Sequence, residues 1–251
     1  MDPDIQSAFQ KPGTALEDYV DSFWMVQNHS AEYKDIVIVP DGRVDLFFSY
    51  SALESFHVTL MGLESEPTQV AFPPKTVIYS VSFKLLAMEY LLNTSIADIV
   101  DGAREMPAGF WNISREDLND FDHFCNKISH TIKTMLTGEV DNRKQQLFQL
   151  IYASNGSLSV KELSGKVFWS SRQVNRYFNQ QFGMPLKAYC NILRFRASFQ
   201  HIKKGKLFPE QNFTDQAHFI KEVKKLSGVI PKELSRNKND RFLQFSTLPQ
   251  K

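Results

Sequence analysis

The feature that most constrains this chain is an internal echo at a spacing of 45 residues. Displaced by that amount, "FWSSRQVNRYFNQQFG" (168–183) falls on "FTDQAHFIKEVKKLSG" (213–228). Phe168 meets Phe213, Val174 meets Phe219, Phe178 meets Val223 and Gly183 meets Gly228. Each copy places apolar residues at i and i+4 and then stops on glycine, which predicts two amphipathic helices with one face in a core. At about 100° per residue the opposite face of the first copy carries Arg172, Arg176 and Asn179, with Asn175 beside them. The same face of the second copy carries Ala217, Lys221 and Lys224, flanked by Gln216 and His218. A charged face taken alone is usually just a wet one. Two of them in the same phase ask for a shared purpose.

The residues around the first copy narrow that purpose. Ser159 with Glu162 and Ser170 with Gln173 have the spacing of capping boxes, so a short helix (159–166) and a longer one are joined by a tight Val-Phe-Trp turn. That is the pattern of a helix-turn-helix, whose second helix enters the DNA major groove. Arginine can grip guanine O6 and N7 with two hydrogen bonds, and asparagine can do the same with adenine N6 and N7. The second copy lacks the supporting helix. "KGKLFPEQ" (204–211) contains Gly205 and Pro209, and a proline inside a helix costs about 3 kcal/mol. Leu207, Phe208 and Phe213 are expected to prop the second helix instead.

Charge divides the chain at the same place as pattern. Residues 1–140 hold 9 Lys+Arg against 21 Asp+Glu, and residues 141–251 hold 20 against 7, although the whole chain of 251 residues is nearly neutral at +1. An acidic module joined to one that seeks a polyanion is the simplest reading. The acidic part is expected to be β-rich, with "SFWMVQN", "DIVIVP", "RVDLFFSY", "FHVTLMGL" and "TVIYSVSF" as strands and Pro40-Asp41-Gly42 as a hairpin turn. Asp41, Arg43 and Asp45 read as a surface salt-bridge set, with a ligand rim as the alternative. "SREDLNDFDHFCNKISHTIKTML" (114–136) reads as one long helix, and "PLKAYCNILRFRASFQHIKK" (185–204) as another. The apolar stripe of the 114–136 helix could cover the sheet or form a homodimer seam. Paired half-sites need paired proteins, which favours the seam.

The expected fold class is therefore α+β, a β-rich domain with helices over 1–140 followed by an all-α domain over 141–251. No apolar run reaches the roughly 18 residues of a membrane span, and the N-terminus lacks a secretory pattern. Cys125 and Cys190 match no metal or redox spacing, which fits a reduced, cytoplasmic setting. No catalytic triad, phosphate loop or dinucleotide fingerprint is present, and the histidines have no ligand spacing, so neither an enzyme nor a cofactor is expected.

"SLSVKELSGKVFWSSRQVNRYFNQQFGMPLKAY" followed by "FTDQAHFIKEVKKLSGVIPKEL" resembles the tandem helix-turn-helix domain of AraC/XylS-type bacterial transcription regulators, over roughly 145–240. The resemblance implies double-stranded DNA as partner, with Arg172, Asn175, Arg176 and Asn179 in the first reading helix. Gln216, Ala217, His218 and Lys221 would belong to the second. It also implies a sensing or dimerising N-terminal domain, a small-molecule effector of unassigned structure, and RNA polymerase as a further partner. "IVIVPDGRVDLFF" with "VIYSVSFK" resembles an uncharacterised domain found ahead of such regions. A different class of function stays open at this point: a degenerate helix-turn-helix that docks an acidic protein.

Overall fold

The computed structural model describes residues 3–136, 138–207, 213, 215–238 and 241–242. Its first part is built on eight strands: β1 (Ile5–Gln10), β2 (Val20–Asn28), β3 (Lys34–Ile38), β4 (Val44–Tyr50), β5 (His57–Met61), β6 (Thr68–Phe72), β7 (Val77–Phe83) and β8 (Ala103–Glu105). Six of them form an antiparallel sheet in the order β1-β2-β7-β4-β5-β8, and β3 and β6 pair in a second, two-stranded sheet. Alternation explains the inner face, because Val44, Leu46 and Phe48 of β4 are buried while Asp45 and Phe47 between them are less so. The five strands read from the sequence are all present. The turn at 40–42 joins no hairpin, however: β3 and β4 belong to different sheets, so this turn is a crossing between them.

Helix α1 (Leu86–Tyr90) follows the sheet, and α2 (Phe121–Met135) lies across it. The long helix expected over 114–136 is two pieces, because Asp120 is extended (φ −138°) and caps α2 through His123 N–H. Phe124, Ile128 and Ile132 are fully buried, and the Phe124 ring meets Phe48 and Tyr79 edge-on at 5.4 and 5.3 Å. The stripe proposed for a dimer seam is thus already used as the lid of the sheet. One stripe cannot do both.

The second part is helical: α3 (Asn142–Ala153), α4 (Val160–Lys166), α5 (Ser171–Phe182), α6 (Leu186–Ala197), α7 (Phe199–Lys203), α8 (Gln216–Ser227) and α9 (Pro231–Arg236). The single helix expected over 185–204 is interrupted at Ser198, whose hydroxyl donates to the Phe195 carbonyl (2.6 Å) and competes with the helical ladder. One apolar core runs from Leu46 and Val81 of the sheet through Tyr189 and Leu193 of α6 to Phe219 and Val223 of α8.

The two parts meet at a buried ionic joint. Asp21 on β2 and Arg43 after the 40–42 turn, each 7% exposed, pair at 3.0 Å, and Arg196 of α6 donates to the other Asp21 oxygen at 2.7 Å. Burial alone would push Asp21 up, but Arg43, Arg196 and Lys11 hold its carboxyl well below the usual carboxylate range. Tyr189 donates to the Gly42 carbonyl (3.0 Å) and shares a hydrogen bond with Tyr152. Gly42 has φ +75°, and a Cβ there would sit 2.9 Å from Leu193 and 3.2 Å from Tyr189, so glycine lets α6 press onto the turn. The residues expected as a surface salt-bridge set are therefore partly an internal ionic joint. Arg43 faces the helices.

Asp45 is the odd partner in this region. It accepts from the Ser82 hydroxyl, yet burial, and then Asp41, raise its carboxyl to about 7. In the unfolded chain the group titrates near 4. The folded state then holds a proton that the unfolded state has lost, so this group's contribution to stability falls as pH rises from about 4 to 7. Asp45→Asn is expected to raise the melting temperature by about 3–6 °C at pH 8 and to give no gain at pH 4. Equal shifts at both pH values would show that Asp45 is not the titrating group.

Candidate nucleic-acid interface

Helix α5 is fixed at both ends by its own sequence. The Ser170 hydroxyl accepts from Gln173 N–H and the Gln173 side chain accepts from Ser170 N–H, completing the capping box, while Gly183 closes the helix at φ +73°. The preceding α4 is capped in the same way by Ser159 and Glu162. Between them Trp169 N–H donates to the Ser164 carbonyl (3.1 Å), and the Ser164 and Ser171 hydroxyls meet at 3.0 Å. Val174, Phe178 and Phe182 have no exposed surface and hold α5 against Phe148 of α3.

The acidic half grips the rear of this helix. Tyr177 donates to Glu89 (2.9 Å), which also pairs with Lys144. The Gln181 side chain donates to the Thr94 carbonyl (2.6 Å), and Ser95 donates to the Gln180 carbonyl (2.9 Å). A Cβ on Gly183 would lie 2.6 Å from the Ala97 carbonyl oxygen. These contacts all fall on the flank and C-terminal end. The outward face stays clear.

On that face Arg172, Arg176 and Asn179 are exposed, and Asn175, half-buried, donates back to the Ser171 carbonyl at 3.0 Å. Of the seven arginines of the helical half four are engaged, and Arg236 on α9 is exposed without a partner among the described residues, like the two on α5. Arg143 pairs with Asp141, Arg194 bonds Asn191, Arg196 pairs with Asp21 and Arg241 pairs with Glu233. Arg172 and Arg176 make no hydrogen bond or ion pair with any described residue. Two guanidinium groups one helical turn apart are left to the solvent on a rigid, doubly anchored rod.

Helix α8 repeats the design with one difference. Asp215 caps it by accepting from His218 N–H (2.7 Å), and Gly228 ends it at φ +76°. Gln216, Ala217 and Lys221 are exposed, while His218 is half-buried with its ring edge toward Phe213 at 5.8 Å. Phe213 also packs on Phe219 (5.1 Å), as the propping role expected of it requires. Phe208 and Pro209 lie outside the described residues, and Lys204–Leu207 form no helix. In the C-terminal segment Phe242 is buried beside β3, with Val37 N–H donating to the Arg241 carbonyl at 2.6 Å. Sequence reasoning missed this return to the β3–β6 sheet, as well as the Glu89, Thr94 and Ser95 grips. Single polar residues in loops carry no periodic signal.

Among the described residues no group of three or more His, Cys, Asp or Glu side chains could hold a metal ion, and no helix is long and apolar enough to cross a membrane. Cys125 and Cys190 are buried, and burial pushes both thiols up to about 12, far from the thiolate a nucleophile needs.

Comparison with known proteins agrees with this architecture. A family described as a domain of unknown function, DUF6597, matches residues 9–105. No curated protein matches the sequence. Among solved structures, ToxT from Vibrio cholerae, an AraC-family regulator, is similar with a TM-score of 0.50 and 11% identity over 93% of this chain and 98% of that one. A second structure of ToxT, bound to (E)-4-(8-methylnaphthalen-1-yl)but-3-enoic acid, gives the same score, identity and coverage. The chain therefore shares the fold of ToxT, and its residues 9–105 match a domain of unassigned function.

Proposed function

We propose that this protein is a sequence-specific DNA-binding transcription regulator, in which α5 and α8 read the major groove and the β-rich part carries the signal. The observation that carries the reading is the pair of free guanidinium groups, Arg172 and Arg176, on the clear face of a helix capped at both ends. Arginine in that position suits guanine edges and phosphates alike. The charge of the helical part supplies the long-range attraction to a polyanion. Asn175 and Asn179 extend the first reader. Gln216, Ala217, His218 and Lys221 supply the second.

A small-molecule effector belongs to the same proposal. A cleft of about 380 Å³ lies between the two parts, lined by Arg43, Lys84, Tyr152, Asn155, Arg196 and Gln200, with Asp21 as its carboxylate. Three cations facing one anion favour an acidic ligand. Bound there, it would touch the sheet and α6 together and so bear on the angle between them.

The deciding experiment is selection of bound duplexes from a random DNA pool by the full chain. The expected result is a recurrent bipartite motif with its halves about one helical turn apart, bound with an affinity that falls steeply as salt rises. A single short motif would leave α8 without a reading role. Binding to DNA without any sequence preference would favour the competing class, a basic surface that docks an acidic protein.

A further inference from the structure

Phe168 stands apart from every other large apolar residue among those described. The residue is 88% exposed, against 63% for Leu53 and 56% for Tyr33. Its backbone is left-handed at φ +55°, a conformation glycine adopts freely and a side chain with a Cβ resists. The strain is not loose chain. Val167 before it is fully buried and bonds Leu163, and Trp169 after it bonds Ser164 and lies under Arg143 and against Tyr177. Both neighbours are anchored, and the left-handed residue between them throws its ring outward.

The direction matters because of where the turn sits. Phe168 lies two residues ahead of the Ser170 cap of α5, and in helix-turn-helix docking the N-terminal end of the second helix is the end nearest the bases. A single exposed apolar ring is common on protein surfaces, but one held in a left-handed turn just ahead of the α5 cap is a strained feature that asks for a function. Against DNA it has a match, since the duplex offers apolar surface in the thymine C5-methyl groups and the deoxyribose faces. Resting on the DNA-binding reading above, we infer that Phe168 is a DNA-contacting wedge that packs on apolar surface of the duplex at the margin of the α5 site. Holding the ring in a strained turn fixes its direction before DNA arrives, so little freedom is lost on binding.

The test uses the selected duplex and the full chain. Phe168→Gly is expected to remain folded, melting at or above the temperature of the unchanged protein because the left-handed backbone is relieved. Its affinity is expected to fall about 5- to 20-fold, the scale of losing one partly buried ring. The slope of affinity against salt stays the same, because no phosphate contact is lost. Phe168→Ala should lose affinity equally. Replacing single thymines by deoxyuridine, which removes only the methyl, separates the two apolar sources. If one position weakens the unchanged protein but not Phe168→Ala, the ring reads a thymine methyl. If none does and the loss persists, it packs on sugar. Enriched DNA bound equally well by both Phe168 variants would overturn this inference and leave the parent reading intact. A loss of affinity accompanied by a lower melting temperature in both variants would make the ring structural and also overturn it. Failure of the unchanged protein to enrich any sequence would remove both proposals together.

Discussion

Arg172→Ala and Arg176→Ala are each expected to lower affinity for the selected duplex by about 10- to 100-fold, the effect of losing one bidentate base contact of roughly 1–3 kcal/mol. Both side chains are exposed, unpaired among the described residues and outside the core, so neither change should move the melting temperature by more than about 2 °C. Discrimination should suffer with affinity: each variant should tolerate a base at one position that the unchanged protein rejects. Lys221→Ala on α8 is expected to weaken binding less, because lysine offers a point charge where arginine offers a planar fork. A gel-shift titration showing equal losses for Lys221→Ala and Arg172→Ala would contradict this ranking. A loss that vanishes at low salt would assign the arginines to phosphates rather than bases.

The second large effect lies at the joint between the two parts. Asp21→Asn should destabilise the protein by about 3–5 kcal/mol, because it leaves the buried Arg43 guanidinium without its counter-charge. For a chain of this size that is on the order of 10 °C in melting temperature. The pH dependence has a definite sign. Asp21 titrates below its ordinary range in the folded state, so its contribution is complete above about pH 4 and disappears as pH falls through the folded value. Asp21→Asn should therefore flatten the acid limb of the melting curve, whereas Asp45→Asn flattens the neutral one. A double-mutant cycle with Arg43→Met separates pairing from packing, and the two changes together should cost less than their sum. Additive losses would mean that the pair is not coupled.

Much of the helical part was legible from sequence. The stripes Val174–Phe178 and Phe219–Val223, the Ser159 and Ser170 boxes and the stops at Gly183 and Gly228 all appear where the residues predict them. Each is a signal contained within a turn or two of helix. The strands of strong alternation were equally plain, whereas β1, β6 and β8 were not, being short or largely polar. The interruptions at Asp120 and Ser198 also escaped, because a stripe can stay in phase across a single broken turn.

Partner choice was a different matter. Periodicity marks Phe124, Ile128 and Ile132 as one apolar face, but it does not say whether that face meets a sheet or a second copy; the rings of Phe48 and Tyr79 decided it. Pro40-Asp41-Gly42 announced a turn and not that its carbonyl would receive Tyr189, nor that Asp21 would take Arg196 from 175 residues away. The amino-acid sequence by itself determined which surfaces turn inward and where helices begin and end, since those follow from side-chain period and local hydrogen bonds. Only the tertiary structure decided what each buried surface faces, because that depends on contacts between segments far apart in the chain, whose closure no local pattern encodes.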